Sequence, residues 1–132
     1  MNESDGKNET IFYDFKGNSV AYADDDKNIY LFRDSRPVAY CHENLVYSFS
    51  GRQLGRFENG WIWDLNGCGV FFTDDATDVG PEKPKLVKRP LHWKCVRHGF
   101  IPRSAIMMST PHAKVENKTV WSELSGEQFF MR

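Results

Sequence analysis

The sequence predicts an all-β fold made of four tandem β-hairpin repeats arranged radially, as in a rosette. The first observation is a column of large aromatic residues at spacings of 17, 17 and 16: Tyr13, Tyr30, Tyr47 and Trp63. A second apolar column follows two positions later, at Phe15, Phe32, Phe49 and Leu65. A third, aliphatic column holds Val20, Val38, Leu54 and Val70. Turn-forming residues separate the second column from the third in every copy, as in Lys16-Gly17-Asn18-Ser19.

Each repeat is interpreted as one hairpin. Side chains two positions apart point to the same face of a strand, so Tyr13 and Phe15 share a face. The dipeptide Asn66-Gly67 predicts a type I′ turn, because that turn needs a positive φ at both central residues. A propeller blade needs a period of about 40 residues, so the observed period fits a single hairpin per repeat.

The repeat block holds fourteen of the nineteen aromatic residues, which predicts that the four aromatic anchors meet in one shared core. A single hairpin is only marginally stable, and a domain of about 65 residues buries only about 60% of its unfolded surface. The block is therefore expected to need the C-terminal half or other subunits to complete its core. This predicts a homo-oligomer or a tightly docked tail.

The repeats resemble a known family. The runs Phe12 to Gly17, Val20 to Tyr22, Ile29 to Phe32, Pro37 to Tyr40 and Leu54 to Trp61 are similar to those of the small bacterial four-fold β-flower proteins. The resemblance implies four hairpin petals. It carries over no activity, cofactor or site residue.

The chain divides into four parts by composition. Residues 1–10 are polar and expected to be disordered, and residues 11–78 form the hairpin repeats. Residues 79–118 form a basic, proline-containing linker and an irregular segment, and residues 119–132 form a hydrophobic docking segment. No secretory signal or membrane-spanning run is visible. Three widely spaced cysteines disfavour a disulfide framework, and a reducing cytoplasm is expected.

Charge is distributed unevenly along the chain. Residues 1–79 carry fourteen acids against seven Lys and Arg, whereas residues 83–103 carry seven Lys and Arg and no acid. The acids concentrate in the links between hairpins and the basic residues in the turns within them, which predicts one acidic and one mostly basic rim. The run Asp24-Asp25-Asp26 lacks the alternating ligand spacing of a calcium loop.

Two groups of residues are predicted to bind a partner. The basic side chains Lys83, Lys85, Lys88 and Arg89 are expected to meet the acidic links of the same chain or of a neighbouring subunit. Trp121, Leu124, Phe129 and Phe130 are too apolar for a free terminus and are expected to fill a gap in the core or between subunits. Ser125 and Gln128 have the spacing of a helix capping box.

The leading functional interpretation is a non-catalytic, cytoplasmic interaction or assembly protein without a cofactor, which self-associates through its tail. One alternative is a nucleic-acid-binding protein that uses residues 83–103, with Trp93 and Phe100 stacking on bases. The acidic repeat block disfavours that alternative, since it would repel the same polymer.

A second alternative is a metal-dependent or cysteine-dependent enzyme. His92, Cys95 and His98 recur every three residues, and zinc accepts imidazole and thiolate. No fourth ligand has standard spacing, and nothing marks an oxyanion hole for a Cys95 nucleophile. Asp14 and Asp64 are more typical of turn-bonded residues than of a catalytic dyad. Trp61 and Trp63 are more typical of core residues than of a sugar platform.

Overall fold

The computed structural model describes residues 10–24, 27–87 and 111–131. Eight antiparallel strands close into a barrel in sequence order. The strands are β1 (Thr10–Tyr13), β2 (Ser19–Ala23), β3 (Asn28–Leu31), β4 (Pro37–His42), β5 (Leu45–Ser48), β6 (Gln53–Glu58), β7 (Trp61–Asp64) and β8 (Gly69–Phe72). A 3₁₀-helix, Glu127–Met131, is the only helix among the described residues. The predicted all-β class and the four radial hairpins are confirmed.

The barrel has two rims with different turns. The turns within hairpins (residues 14–18, 32–36, 49–52 and 65–68) form the turn rim, and the connections between hairpins form the link rim. The type I′ prediction at Asn66-Gly67 is wrong, since only Gly67 has a positive φ, of 85°. The Gly67 amide donates to the Asp64 carbonyl at 3.0 Å, and the Asp64 amide donates to the Cys68 carbonyl at 2.9 Å. These contacts define a three-residue loop with a glycine bulge.

Positive φ at both central residues occurs instead on the link rim. Glu43 and Asn44 have φ of 52° and 69°, and Asn59 and Gly60 have φ of 56° and 81°. Each pair joins one hairpin to the next across a two-residue connection. The type I′ signal in this chain therefore belongs to the links between petals.

The barrel interior is filled by aliphatic, small and a few aromatic side chains. One buried cluster draws on every strand: Phe12, Val20, Ala21, Ala23, Ile29, Leu31, Ala39, Val46, Leu54, Ile62, Val70 and Phe71, together with Phe129 and Phe130 of the C-terminal segment. An eight-stranded barrel has an interior just wide enough for side chains of this kind. It has no room for four further large rings.

The prediction that the four aromatic anchors share one core is therefore wrong. Tyr13, Tyr30, Tyr47 and Trp63 are at most 3% exposed, yet none belongs to the interior cluster. They alternate with the interior residues along their strands and so lie on the outer face. There, rings pack across the seams between neighbouring hairpins: Tyr22 with Tyr30 at 5.2 Å, Tyr40 with Tyr47 at 5.7 Å, and Tyr13 with Phe72 at 5.3 Å between centroids.

Later residues cross the outer face of the barrel and cover the aromatic rings of hairpin 4. The indole N–H of Trp61 donates to the Thr77 carbonyl at 2.8 Å. Gly80 lies on the two indole rings, since an added Cβ would stand 2.9 Å from atoms of both Trp61 and Trp63. The Val87 amide then donates to the Gly17 carbonyl at 3.0 Å. Residues 76–87, the predicted linker in part, thus form a strap across hairpins 4 and 1.

A second crossing runs over hairpins 3 and 4. The His112 amide donates to the side-chain oxygen of Gln53 at 2.7 Å, and Arg56 donates to the His112 carbonyl at 2.8 Å. Lys114 pairs with Glu58 at 3.2 Å. The crossing ends where the Lys118 amide donates to the Gly67 carbonyl at 2.8 Å. This path delivers the chain end to the turn rim. Over the part of the chain that the structure describes, no helix is long and apolar enough to cross a membrane.

Candidate functional site: the C-terminal plug in the barrel mouth

The seam between β1 and β8 is the weakest join in the barrel. The other seven pairs of neighbouring strands each share three or four aligned residue pairs. The first and last strands share one, which pairs Tyr13, the last residue of β1, with Phe72, the last residue of β8. Towards the turn rim this seam is open, and the C-terminal residues 122–131, which we call the plug, occupy it.

Ser125 joins the two sides of the open seam. Its hydroxyl oxygen accepts a hydrogen bond from the Phe15 amide at 2.9 Å and donates to the Val70 carbonyl at 2.8 Å. At the equivalent place between hairpins 1 and 2, the Phe32 amide donates directly to the Val20 carbonyl at 3.0 Å. The Ser125 hydroxyl therefore replaces one backbone hydrogen bond that joins neighbouring hairpins elsewhere.

Two phenylalanines of the plug enter the interior. Phe129 is 0% and Phe130 6% exposed. Phe129 meets the Phe71 ring edge-on, with centroids 5.9 Å apart, and Phe130 stacks on the same ring at 5.5 Å. Gly55 lies under Phe129, because an added Cβ there would stand 3.2 Å from the Phe129 ring. The plug thus completes the hydrophobic core at the turn rim, in the opening of the barrel that we call the barrel mouth.

The residues just before Ser125 continue the sheet. The Gly69 amide donates to the Val120 carbonyl at 3.0 Å, and the Ser122 amide donates to the Gly69 carbonyl at 2.7 Å. These bonds make a parallel bridge between Gly69 and Trp121. The Trp121 ring packs between those of Phe15 (6.5 Å) and Trp61 (5.5 Å). The chain end therefore adds as a short parallel segment beside the start of β8.

An ion pair fixes the far end of the plug to hairpin 2. Glu127 accepts from the Nε of Arg33 at 2.9 Å, and the Arg33 side chain is 57% exposed. This hydrogen bond, with the added attraction of the Glu127 and Asp34 charges, raises the pKa of the Arg33 guanidinium above its ordinary value. Because the pair faces solvent, it supplies orientation more than stability.

The profile of the family described as "4-fold beta flower protein" matches residues 10–130, which include all eight strands and almost the whole plug. The chain belongs to this family. Searches of the curated proteins and of the solved structures each gave no match.

The β-flower chain brings four of the predicted partner-binding residues together. Phe129 and Phe130 are buried, whereas Trp121 and Leu124 are partly buried. All four contact the barrel of the same chain, and the interior cluster includes the two phenylalanines with Leu124 packed against it.

Of the four predicted basic residues, the structure describes Lys83 and Lys85. The Nζ of Lys83 donates to the Ala76 carbonyl at 2.7 Å and lies 3.7 Å from Asp78. The Lys85 carbonyl lies against Gly17 on the turn rim. Lys88 and Arg89 lie outside the described residues. In the plug the ion pair is a different one, between Glu127 of the tail and Arg33 of a turn.

The sequence also suggested a capping box at Ser125 and Gln128, and this is wrong. The Ser125 hydroxyl hydrogen-bonds to the Phe15 amide and the Val70 carbonyl, so it does not cap the 3₁₀-helix. Gln128 donates to the Ser125 backbone carbonyl at 3.4 Å instead. Tertiary contacts across the seam have taken the place of local capping.

The metal-site candidates His92, Cys95 and His98, and most of the basic segment 83–103, lie outside the described residues. Within the ranges that are described, no group of three or more metal-ligating side chains occurs. Of the described cysteines, Cys68 has a pKa raised above the ordinary thiol value, first by partial burial and then by the charge of Asp64. A raised pKa lowers the thiolate fraction and makes this thiol a poor nucleophile.

The acid pair and the tryptophan pair have structural roles. Asp14 accepts from the amides of Lys16 (2.9 Å) and Asn18 (3.0 Å). Asp64 does the same in hairpin 4, from residues 66 and 68 at 2.9 Å each. Both carboxylates cap turns. Trp61 and Trp63 are 0% exposed, so neither presents a ring to a sugar.

The roles of three residues of the site were not predicted from the sequence: Ser125, Arg33 and Glu127. A single serine in a polar tail carries no periodicity, and the ion pair joins residues 94 positions apart. The available signal was an irregularity in the repeat. The fourth copy has Phe71 where the other three have a small residue, and Phe71 is the ring on which both plug phenylalanines pack.

Proposed function

We propose that this β-flower protein is a non-catalytic interaction and assembly protein whose subunits associate by exchanging their C-terminal plugs. One observation carries the proposal: the barrel is finished by a chain end that is remote from it in sequence. Ser125 lies 110 positions from its partner Phe15 and 55 from Val70. A barrel with an open seam and an unfilled mouth has a built-in need for this segment.

The plug contacts do not depend on which copy supplies the plug. Phe15, Arg33, Gly69, Val70 and Phe71 all belong to the four hairpins. A second chain can therefore present the same hydroxyl, carboxylate and rings with every contact preserved. Exchange of an identical element is a low-cost route to an oligomer.

The segment leading into the plug suits such an exchange. Residues 111–116 and 118–120 are exposed. The barrel holds them through a few hydrogen bonds and the Lys114–Glu58 ion pair. Exposed ion pairs contribute little stability, so this segment is released at low cost when the plug moves to a neighbour.

The proposal places the assembly in a reducing compartment, the cytoplasm. Cys68 is a free thiol, and a thiol outside any disulfide is typical of proteins kept reduced. The raised pKa of the Cys68 thiol adds resistance to oxidation.

Light scattering coupled to gel filtration tests the proposal. The full chain of 15.3 kDa is expected to give a mass that is a multiple of the subunit, with the share of oligomer rising with concentration. Copies carrying donor and acceptor dyes near the plug are expected to exchange on mixing, and Phe129→Ala is expected to weaken the oligomer while the exposed-site control Met131→Ala leaves it intact. A monomer at every concentration up to the millimolar range would overturn the proposal.

A further inference from the structure

The open seam and the barrel mouth together have the layout of a peptide-recognition site. We propose that they form a sequence-selective acceptor for the C-terminal segment of a second copy of this chain, which carries, in order, a small hydroxyl residue, an acid two positions later and a pair of aromatic residues after it. In this chain those residues are Ser125, Glu127, Phe129 and Phe130. The inference rests on the proposed exchange and names what the acceptor reads.

The first element of selectivity is the hydroxyl position. Ser125 is 4% exposed, and its oxygen both accepts from the Phe15 amide and donates to the Val70 carbonyl. A residue without a hydroxyl leaves two backbone groups without this partner, which weakens binding because buried polar groups need hydrogen bonds. The Ser125 hydroxyl lies 2.9 and 2.8 Å from these two groups, so a larger side chain would have to displace them. The seam therefore accepts serine and disfavours apolar and bulky residues.

The second element is charge. Arg33 lies at the turn of hairpin 2 and donates from Nε to both carboxylate oxygens of Glu127, at 2.9 and 3.0 Å. Such a two-oxygen contact fixes the orientation of the incoming segment. Its exposure makes it a selector between acidic and basic segments more than a source of affinity.

The third element is the pair of rings in the mouth. Phe129 and Phe130 lie perpendicular to each other, with centroids 5.3 Å apart and an interplanar angle of 77°. Both contact Phe71, and both are buried. They supply most of the apolar area and so most of the affinity.

Backbone hydrogen bonds add binding affinity that does not depend on the sequence of the segment. The bridge between Gly69 and Trp121 is parallel and uses two hydrogen bonds, of 3.0 and 2.7 Å. Addition of an extended segment beside an existing strand is a recurring mode of peptide recognition, in which the backbone gives affinity and the pockets give specificity. The backbone at Trp121 therefore aligns the incoming segment whatever its sequence. Selectivity comes from the side chains that follow, from Ser125 to Phe130, which lie in a turn and a 3₁₀-helix.

The experiment uses fluorescent peptides of residues 119–132 and measures polarisation against the full chain. The receiving protein is the Phe129→Ala full chain, whose own plug competes less. The wild-type peptide is expected to bind at least about 100-fold more tightly than the Phe129→Ala peptide, as the loss of a buried phenylalanine predicts. The Ser125→Ala peptide is expected to bind about tenfold more weakly than the wild type.

Reversal of the two charges of the Arg33–Glu127 pair gives a more specific test of the acceptor. A receiver that also carries Arg33→Glu is expected to prefer the Glu127→Arg peptide to the wild-type peptide by about threefold, and the Arg33 receiver to show the opposite preference. If the Phe129→Ala receiver does not fold, as judged by tryptophan fluorescence, the same peptides compete against the wild-type full chain at equilibrium. Equal binding of all peptides, or a charge preference that does not invert, would overturn the inference.

The outcomes separate this inference from the proposed function. A monomeric full chain that still takes peptides with the expected order of preference rejects plug exchange and keeps the acceptor. An oligomer that is indifferent to Phe129 assembles through another surface and rejects plug exchange, and equal binding of all peptides by the same protein rejects the acceptor.

Discussion

The hydroxyl of Ser125 lies 2.9 Å from the amide nitrogen of Phe15, at the place where the first and last hairpins of the barrel fail to pair. Four identical petals would close by the same backbone hydrogen bond at every seam, as Phe32 and Val20 show between hairpins 1 and 2. In this chain a side chain from the C terminus makes the last join. The barrel and the tail are therefore one folding unit.

Replacing Ser125 by alanine tests that join. The change leaves the Phe15 amide and the Val70 carbonyl without their shared partner in a buried seam, so the free energy of unfolding is expected to fall by about 1–3 kcal/mol. Urea unfolding followed by tryptophan fluorescence measures it. Thr119→Ala, at an exposed position in the same segment, is the control and is expected to change stability by less than about 0.5 kcal/mol. Equal effects of the two changes would show that the Ser125 hydroxyl does not stabilise the seam between β1 and β8.

The plug phenylalanines give a second prediction. Phe129 is 0% exposed and Met131 is 52% exposed, and the two lie in the same short helix. Phe129→Ala is expected to lower the free energy of unfolding by about 3–5 kcal/mol because it empties part of the core. Met131→Ala is expected to change it by less than about 0.5 kcal/mol. Thermal melts of the two variants side by side decide the matter, and a tolerated Phe129→Ala would place the plug outside the core.

The carboxylates that cap the turns give a third prediction. Asp64 accepts from two backbone amides, each at 2.9 Å, and it is only 8% exposed. Asp64→Ala is expected to cost about 1–3 kcal/mol, because charge-assisted bonds to backbone amides are lost. Asp74→Ala, at an exposed acid on the opposite side of hairpin 4, is the matched control. Equal denaturation midpoints for both variants and the wild type would show that the carboxylate does not hold the turn.

Cys68 gives a prediction about pH. Partial burial, followed by the charge of Asp64, raises the pKa of its thiol above the ordinary value of about 9.0. The neutral thiol is thus favoured in the folded state, and its contribution to stability is present below that ordinary pKa and lost as the pH rises through the higher folded value. Alkylation by iodoacetamide, quantified by mass spectrometry of the Cys68 peptide, is expected to rise at a higher pH in the folded than in the unfolded chain. Asp64→Asn is expected to move that rise to lower pH, and an unchanged profile would exclude the carboxylate as a cause.

Much of the architecture follows from the sequence, because hairpin length and turn position are determined by residues close together in the chain. The spacing of Tyr13, Tyr30, Tyr47 and Trp63 sets the hairpin length, and the turn residues between the apolar columns locate the turn rim. Which side of the barrel the aromatics occupy does not follow, since period-2 patterns mark two faces without saying which one is inside. The size of the interior decides it, and that depends on the number of strands in the closed barrel.

The site was predictable only in its apolar part. Phe129 and Phe130 are conspicuous because a polar tail has no other reason to carry them. Ser125, Arg33 and Glu127 act through contacts between residues 55 to 110 positions apart, and no local pattern encodes such pairs. The turn type at Asn66-Gly67 failed for a related reason. The Asp64 carboxylate stabilises a three-residue loop there, and this local side-chain bond outweighs the dipeptide preference.

The central claim is that the barrel needs its C-terminal plug, and deletion of residues 119–132 tests it most directly. Loss of two buried phenylalanines and of the Ser125 bridge is expected to lower the melting temperature by at least about 10 °C, or to prevent folding altogether. The same sample in light scattering is expected to show no ordered oligomer. A truncated chain with the melting temperature and the mass per particle of the full chain, corrected for the missing residues, would contradict the account.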